Sequence, residues 1–300
     1  MRKSCSEIES LLSADRIRRD VPMSDYTTFR IGGPASFMLF PETEEETVSV
    51  VNTLRNGGFP YYILGRGSNL LVSDEGFPGY VVNLRNFRSI VIEGNVLTAS
   101  SGALLSEAAR EAYLSGLSGL EFASGIPGTV GGGIVMNAGA YGEEMKDTVI
   151  SVRLLTPEGK IKTYTNAEMD FGYRHSVLSD YCGVVLSASF LLNPEEKAKI
   201  EEKMNDLNTR RRFRQPLDKP SAGSTFKRPE GQFAGKLIEE AGLKGYRIGG
   251  AAVSEKHAGF IVNLGDATAK DVRDLIRYVQ AEVCRNSGVL LEPEIRFLGE

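Results

Sequence analysis

The chain has 300 residues, enough for about two domains at roughly 150 residues each and for a sizeable core without disulfides or a structural metal. With 41% hydrophobic and 25% charged residues it is neither a largely disordered chain nor a collagen-like or coiled-coil one. A formal charge of −4 leaves no overall basic footprint, which argues against nucleic-acid binding as the main task and leaves room only for a local cationic pocket.

Residues 4–19 carry Ile8, Leu11, Leu12 and Ile17 at helical spacing, which predicts a leading helix, broken by Pro22 before Thr27. Charges interrupt this segment, so it lacks the apolar run of about 7–15 residues that a secretory signal needs. No stretch approaches the roughly 18 apolar residues of a membrane span, and a soluble, cytoplasmic protein is expected. From residue 35 the pattern reads strand (ASFMLF), capped helix (TEEETVSVVNTLRNGG), strand (PYYIL). The short β-prone runs LLVS, YVVNL, SIVIEG and NVLTAS follow, with Gly94-Asn95 as a hairpin turn, and predict antiparallel sheet. A helix over 103–115 leads into a long glycine-rich stretch, and VISVRLLTPEGKIKTYT reads as a hairpin around Pro157-Glu158-Gly159. The strand over 184–192 closes a first domain, 1–195, made of two α/β subdomains behind the leading helix. After Asn193-Pro194 a polar helix without a strong apolar stripe suits an interdomain connection, and a second domain, 196–300, begins. Its pattern is a Gly-rich turn at 221–231, a helix over 232–241, strands within 246–263, a helix over 268–286 and a strand near 295–298, so a small α+β domain is expected.

Glycine is in excess: 33 of 300 is about 11%, against about 7% in an average protein. It is densest from Gly116 to Gly142, where nine of 27 residues are glycine. Successive N–H groups in such a stretch can converge on an anion, and a diphosphate is the natural guest. No Lys or Arg lies between Ser124 and Gly142, so a phosphate held there would rely on main-chain dipoles. A second anion candidate is GRGSNLL at 65–71, where the Ser68 and Asn69 side chains can add hydrogen bonds. Each stretch taken alone is equally an ordinary structural loop. Neither is a Rossmann fingerprint, since Leu70 stands where a third glycine belongs, and Gly231–Lys236 is one residue short of a P-loop. Two separated Gly-rich anion sites without those geometries point to a dinucleotide held in another way.

Cys5, Cys182 and Cys284 are odd in number, widely spaced and without a CxxC pair, which fits a reducing compartment and predicts neither a disulfide framework nor a thiolate zinc site. His175 and His257 are isolated and make a poor metal site, so no metal is expected; His257 is read as structural or as lining a pocket.

The stretches YILGRGSNLLV, SGIPGTVGGGIVMNAGAYG, FGYRHSVL, SAGSTFKRP, KHAGFIVN and LEPEIRFLG stand in the order found in UDP-N-acetylenolpyruvoylglucosamine reductases, and the chain resembles that family from about residue 20 to its end. The resemblance implies an α+β protein: an FAD-binding domain of the vanillyl-alcohol oxidase type followed by a smaller substrate-binding domain. It further implies NADPH-dependent reduction of UDP-N-acetylglucosamine enolpyruvate to UDP-N-acetylmuramate for peptidoglycan, with ping-pong kinetics. Small molecules are the expected partners: the UDP-sugar and NADPH, with no nucleic acid, membrane or obligate protein partner. Residues 6–174 contain no Cys or His, so non-covalent FAD is expected. By family position the cofactor residues are Gly65, Arg66, Gly67, Ser68, Asn69 and Leu70, then Ser124, Gly125, Pro127, Gly128, Gly131, Gly132, Asn137 and Gly139, with Arg211.

Hydride addition to an enolpyruvyl ether needs stabilisation of the charge that develops on the α-carbon and carboxylate, and then a proton. The resemblance assigns these tasks to Arg174, pairing with the carboxylate, Glu294, donating a hydrogen bond to the enolate if its pKa is raised, and Ser224, protonating the α-carbon. Each has a plain structural alternative: a surface ion pair, a strand-start cap and a turn residue after Gly223. Cations between Arg210 and Arg228 suit the UDP diphosphate; Arg214 and Lys227 match substrate positions, while Arg228 departs from the asparagine of many relatives. The short segment after Arg174 resembles the second type of the family, which lacks a covering tyrosine loop, so Tyr181 is given no such role. The competing readings are an FAD-dependent sugar or lactone oxidase and a non-catalytic nucleotide-sugar sensor, neither of which needs Arg174, Ser224 and Glu294 together.

Overall fold

The computed structural model describes residues 8, 10–179 and 182–299. The predicted leading helix is cut short. Residues 8, 10 and 11 are helical, a 3-10 turn follows at Ala14–Arg16, and Ile17 opens the strand Ile17–Pro22. Ser13 takes an extended backbone before that turn, and the β-branched Ile17 packs its side chain on a sheet core, so helical spacing at position 17 was coincidental. Residues 4–7 of the predicted helix, and Tyr181, lie outside the described residues.

The chain forms two compact units, both discontinuous: Met1–Arg19, Phe37–Arg66 and Gly79–Arg211 make one, and Asp20–Ser36, Gly67–Pro78 and Arg212–Glu300 the other. This differs from a single division at 195/196. The helix Lys197–Arg214 stays with the first unit as far as Arg211 because Lys203, Asn208 and Arg211, all on that helix, bond to the segment 121–125.

A four-stranded sheet, most of it in the first unit, has the order Ile17–Pro22, Pro34–Leu39, Phe77–Asn83, Tyr61–Leu64. The helix Glu44–Asn56 starts at Thr43, whose hydroxyl accepts the Glu46 N–H, with three glutamates in its positive first turn. It buries Val50, Val51 and Leu54 in a core shared with Leu39 and Val82, each worth about 1.5–3 kcal/mol of transfer free energy. A second sheet is antiparallel throughout, in the order Ile161–Thr165, Val149–Leu155, Val184–Leu191, Val96–Ser100, Ile90–Glu93. The helices Leu105–Leu114 and Val130–Val135 share its core. Both predicted hairpins are present, with Gly94 and Gly159 at positive φ. The antiparallel expectation fails for LLVS and YVVNL: Tyr61–Leu64 and Phe77–Asn83 pair in parallel, as do Leu70–Val72 and Arg296–Leu298. Those two runs are buried on nearly every residue, which suits parallel pairing, and their partners are not their sequence neighbours.

In the second unit, an antiparallel sheet runs Ser221–Ser224, Phe260–Asn263, Ala251–Val253, Arg247–Ile248, so the predicted Gly-rich turn begins as a strand. The helix Ala269–Ser287 shares the core of this unit through Val272, Leu275, Ile276, Val279 and Val283. Thr268 and Asp271 form its capping box, and Asp74 accepts the N–H groups of Ala269 and Lys270 at 2.7 and 3.0 Å. The left-handed Gly288 ends it. No helix among the described residues is long and apolar enough to cross a membrane.

Candidate functional site

Gly65, at the start of the first Gly-rich stretch, meets the second stretch within the first unit. A Cβ on Gly65 would stand 2.4 Å from the Thr129 hydroxyl, so the first loop lies directly against the start of the helix Val130–Val135. Among the described residues, none accepts a hydrogen bond from the N–H groups of Gly65, Arg66, Gly67 or Ser68. These four consecutive donors are available for an anion. The later stretch behaves differently from expectation. Gly128 N–H donates to Ile126 at 2.9 Å, Gly131 N–H to Ser101 at 2.9 Å and Gly132 N–H to the Thr129 hydroxyl at 3.3 Å. Those amides, at and just before the start of a short helix, are already satisfied, so glycine serves packing there: a Cβ on Gly131 would fall 1.9 Å from the Ser101 hydroxyl.

Arg211 reaches the later Gly-rich stretch from the helix Lys197–Arg214. Its Nη1 donates to the carbonyl of Gly125, and Asn208, one turn earlier on the same face, donates to the Ser124 hydroxyl at 3.1 Å. Burial pushes the Arg211 pKa down, opposed by its bond with the Tyr141 hydroxyl. Both partners are neutral, and among the described residues no carboxylate pairs with it. A half-buried guanidinium beside neutral acceptors suits an anionic group such as the diphosphate of a dinucleotide. Asn208 and Tyr141 were not singled out from the sequence; the spacing of Asn208 from Arg211 was the available signal. Lys203 on this helix bridges the buried Glu121 at 3.5 Å and Glu143 at 2.7 Å. Burial works against the Glu121 charge, yet hydrogen bonds from Ser118 and from main-chain N–H groups, with Lys203 nearby, hold its pKa low.

Asn137, expected at the cofactor, is fully buried, with its side chain engaged by protein atoms on every side. Gly139 offers its carbonyl to Arg174 Nη2 at 3.3 Å. Arg174 sits at φ +52° in the turn Gly172–His175, with its guanidinium 5.1 Å from the centre of the Tyr173 ring.

In the second unit, the segment that follows Ser224 pairs with the segment that ends at Glu294. Glu294 N–H donates to Thr225 at 2.8 Å, Phe226 bridges Pro293, and Lys227 N–H donates to Glu292 at 2.8 Å. Asn69 joins them: its Nδ2 donates to the Glu294 carbonyl at 3.1 Å, and its own carbonyl accepts Arg296 N–H at 2.9 Å. Ser224 and Glu294 are both part-exposed. Lys227 Nζ pairs with Glu292, the carboxylate that competes with Glu294 in the sequence. Arg214 is exposed, and Arg228 lies 4.6 Å over the Phe233 ring. His257 accepts the Gly259 N–H on Nδ1 at 3.1 Å and packs edge-on against Phe260. Burial lowers its pKa, with Lys244 and Arg214 adding to the shift.

Two family profiles match the chain: an FAD binding domain over residues 35–165 and the C-terminal domain of UDP-N-acetylenolpyruvoylglucosamine reductase over 215–298. A UDP-N-acetylenolpyruvoylglucosamine reductase from Caldanaerobacter subterraneus is 50% identical over 98% of this chain and 97% of its own length, and one from Levilactobacillus brevis is 48% identical over 98% and 97%. The crystal structure of the reductase from Thermus caldophilus superposes with a TM-score of 0.83 at 41% identity, covering 95% of this chain and 99% of that one. Phl p 4, a grass pollen allergen with glucose dehydrogenase activity, shares the fold over 65% of this chain and 44% of its own, at TM-score 0.52 and 16% identity.

Proposed function

The chain belongs to the UDP-N-acetylenolpyruvoylglucosamine reductase family, and on that footing we propose that Arg174, Ser224 and Glu294 are its catalytic residues. It is an FAD-dependent oxidoreductase that uses NADPH to reduce UDP-N-acetylglucosamine enolpyruvate to UDP-N-acetylmuramate in peptidoglycan precursor synthesis. We assign FAD binding to the first unit and substrate binding to the second, with the cytoplasm as its compartment; the family matches over 35–165 and 215–298 support the division.

Bound FAD supplies the hydride acceptor for NADPH and the hydride donor for the enolpyruvyl double bond. Gly65, Arg66, Gly67 and Ser68 would hold its diphosphate by main-chain N–H groups, and Arg211 would add a charge. Arg174 pairs with the substrate carboxylate and stabilises the negative charge that hydride addition places there. Glu294, in its protonated form, donates a hydrogen bond to the enolate oxygen, and the Ser224 hydroxyl delivers a proton to the α-carbon. Arg214 and Lys227 take the UDP phosphates, Lys227 by exchanging its contact with Glu292.

The observation that supports this reading best is the pairing of Thr225 with Glu294, which brings the strand end that carries Ser224 to the segment that carries Glu294, with Asn69 bonded to the Glu294 carbonyl. A sugar oxidase gives no reason for Ser224 and Glu294 to stand in a second domain with a group of cations. Anaerobic addition of NADPH to the yellow protein should bleach the flavin band, and the UDP-enolpyruvyl sugar should restore it. Bleaching by a free sugar and not by NADPH would favour the oxidase.

A further inference from the structure

We propose that Asn137 is the positioning residue for Arg174, an inference that rests on the reading of Arg174 as the cation for the substrate carboxylate. Asn137 is 0% exposed and holds a left-handed backbone at φ +39°. Its Oδ1 accepts the Lys146 N–H at 3.0 Å, while Nδ2 donates to Glu144 Oε2 and to the Gly172 carbonyl, both at 2.9 Å. Both amide protons are therefore used inside the protein, which leaves the side chain no donor for a cofactor.

The bond to Gly172 matters most. Gly172 and His175 exchange main-chain bonds at 3.1 and 3.2 Å, which closes the turn that carries Arg174. Within that turn Arg174 itself is left-handed, a conformation that non-glycine residues hold only when their surroundings impose it. Two residues beyond Asn137, the Gly139 carbonyl accepts the Arg174 guanidinium at 3.3 Å. Asn137 thus clamps the base of the turn to the same segment that receives the tip of the arginine. Ser176 adds a second tie just after the turn, its hydroxyl donating to the Val135 carbonyl at 2.8 Å. Asparagine suits the position twice over, since it tolerates positive φ and offers donors and an acceptor on one short side chain.

The test is a double-mutant cycle read on separate half-reactions. N137G keeps the backbone conformation and loses the clamp; N137D keeps the shape and puts an acceptor against Glu144 and Gly172. Both should bind FAD with an unchanged spectrum and be reduced by NADPH within about twofold of the parent. Reoxidation by the UDP-enolpyruvyl sugar should slow at least about tenfold, and calorimetry should show weaker substrate binding. R174A should lose more, and N137G/R174A should be no slower than R174A within about twofold, because the clamp acts only through the arginine. Losses that multiply in the double variant would overturn the proposal, as would equal damage to the NADPH step, or failure of both Asn137 variants to bind FAD. Normal reoxidation by R174A alone would instead overturn the role of Arg174, and the clamp's catalytic purpose with it.

Discussion

Asn69 and Glu294 are 225 positions apart, and the Asn69 side chain donates to the Glu294 main-chain carbonyl at 3.1 Å. Arg296 returns an N–H to the Asn69 carbonyl at 2.9 Å, and from there Arg296–Leu298 runs parallel to Leu70–Val72. A loop assigned to the cofactor and a strand assigned to substrate chemistry are thereby one hydrogen-bonded piece of the second unit. The backbone of Glu294 is held from both sides, by Asn69 at its carbonyl and by Thr225 at its N–H.

Ser224→Ala should leave NADPH reduction of the flavin intact and slow reoxidation by the UDP-enolpyruvyl sugar by about 10²–10⁴-fold, the usual worth of a placed proton donor. Stopped-flow absorbance at the flavin band separates the two steps. Equal loss in both half-reactions would remove Ser224 from the proton-donor role.

Arg211→Met should raise the dissociation constant of FAD from the apoprotein by about 10–100-fold, the range for one hydrogen bond to a charged group. The apoprotein itself should melt no lower, because the substitution removes a half-buried charge whose protein partners are the neutral Gly125 carbonyl and Tyr141 hydroxyl. Flavin fluorescence titration and thermal unfolding of the apoprotein measure the two quantities; an unchanged FAD affinity would count against a cofactor role.

Gly65→Ala places a Cβ 2.4 Å from the Thr129 hydroxyl, so that side chain must turn away and release the Gly132 N–H it accepts. Loss of this helix cap should cost about 1 kcal/mol. Removing the hydroxyl first relieves the clash, so the double variant with Thr129→Ala should be no less stable than Thr129→Ala alone. Denaturant unfolding of the four proteins checks this.

His257 ties part of the stability to pH. Burial, first, and then Lys244 and Arg214 lower its pKa below the ordinary 6.5, against its own main-chain hydrogen bond and Glu239. Above that value both folded and unfolded forms are neutral and the full stability is present. As pH falls through it, the unfolded chain takes up the proton first, and stability is lost. From about pH 7 to about pH 5.5, the melting temperature should therefore fall further for the parent than for His257→Asn. Parallel curves would show that His257 is not the group responsible.

The local elements were legible because their causes are local. Thr43 with three glutamates starts a helix, Gly94 and Gly159 take the turns that need positive φ, and Thr268, Asp271 and Gly288 delimit the longest helix. The leading helix was misread because Ile17 fits a helical period as well as a strand, and packing against a sheet core decided for the strand. The parallel partners of Leu70–Val72 and Tyr61–Leu64 could not be read, since side-chain pattern marks a buried strand and does not say which strand lies beside it.

By itself the sequence determined the family and the kinds of residue the chemistry needs, because six ordered motifs and the types Arg, Ser and Glu survive without coordinates. Only the tertiary structure decided how each one is used. It left the amides of 65–68 open and closed those of Gly128, Gly131 and Gly132, and it bonded the Asn137 side chain to Glu144, Lys146 and the turn that holds Arg174. A hydrogen-bonding group has few partners, and which of them it finds depends on segments far apart in the chain.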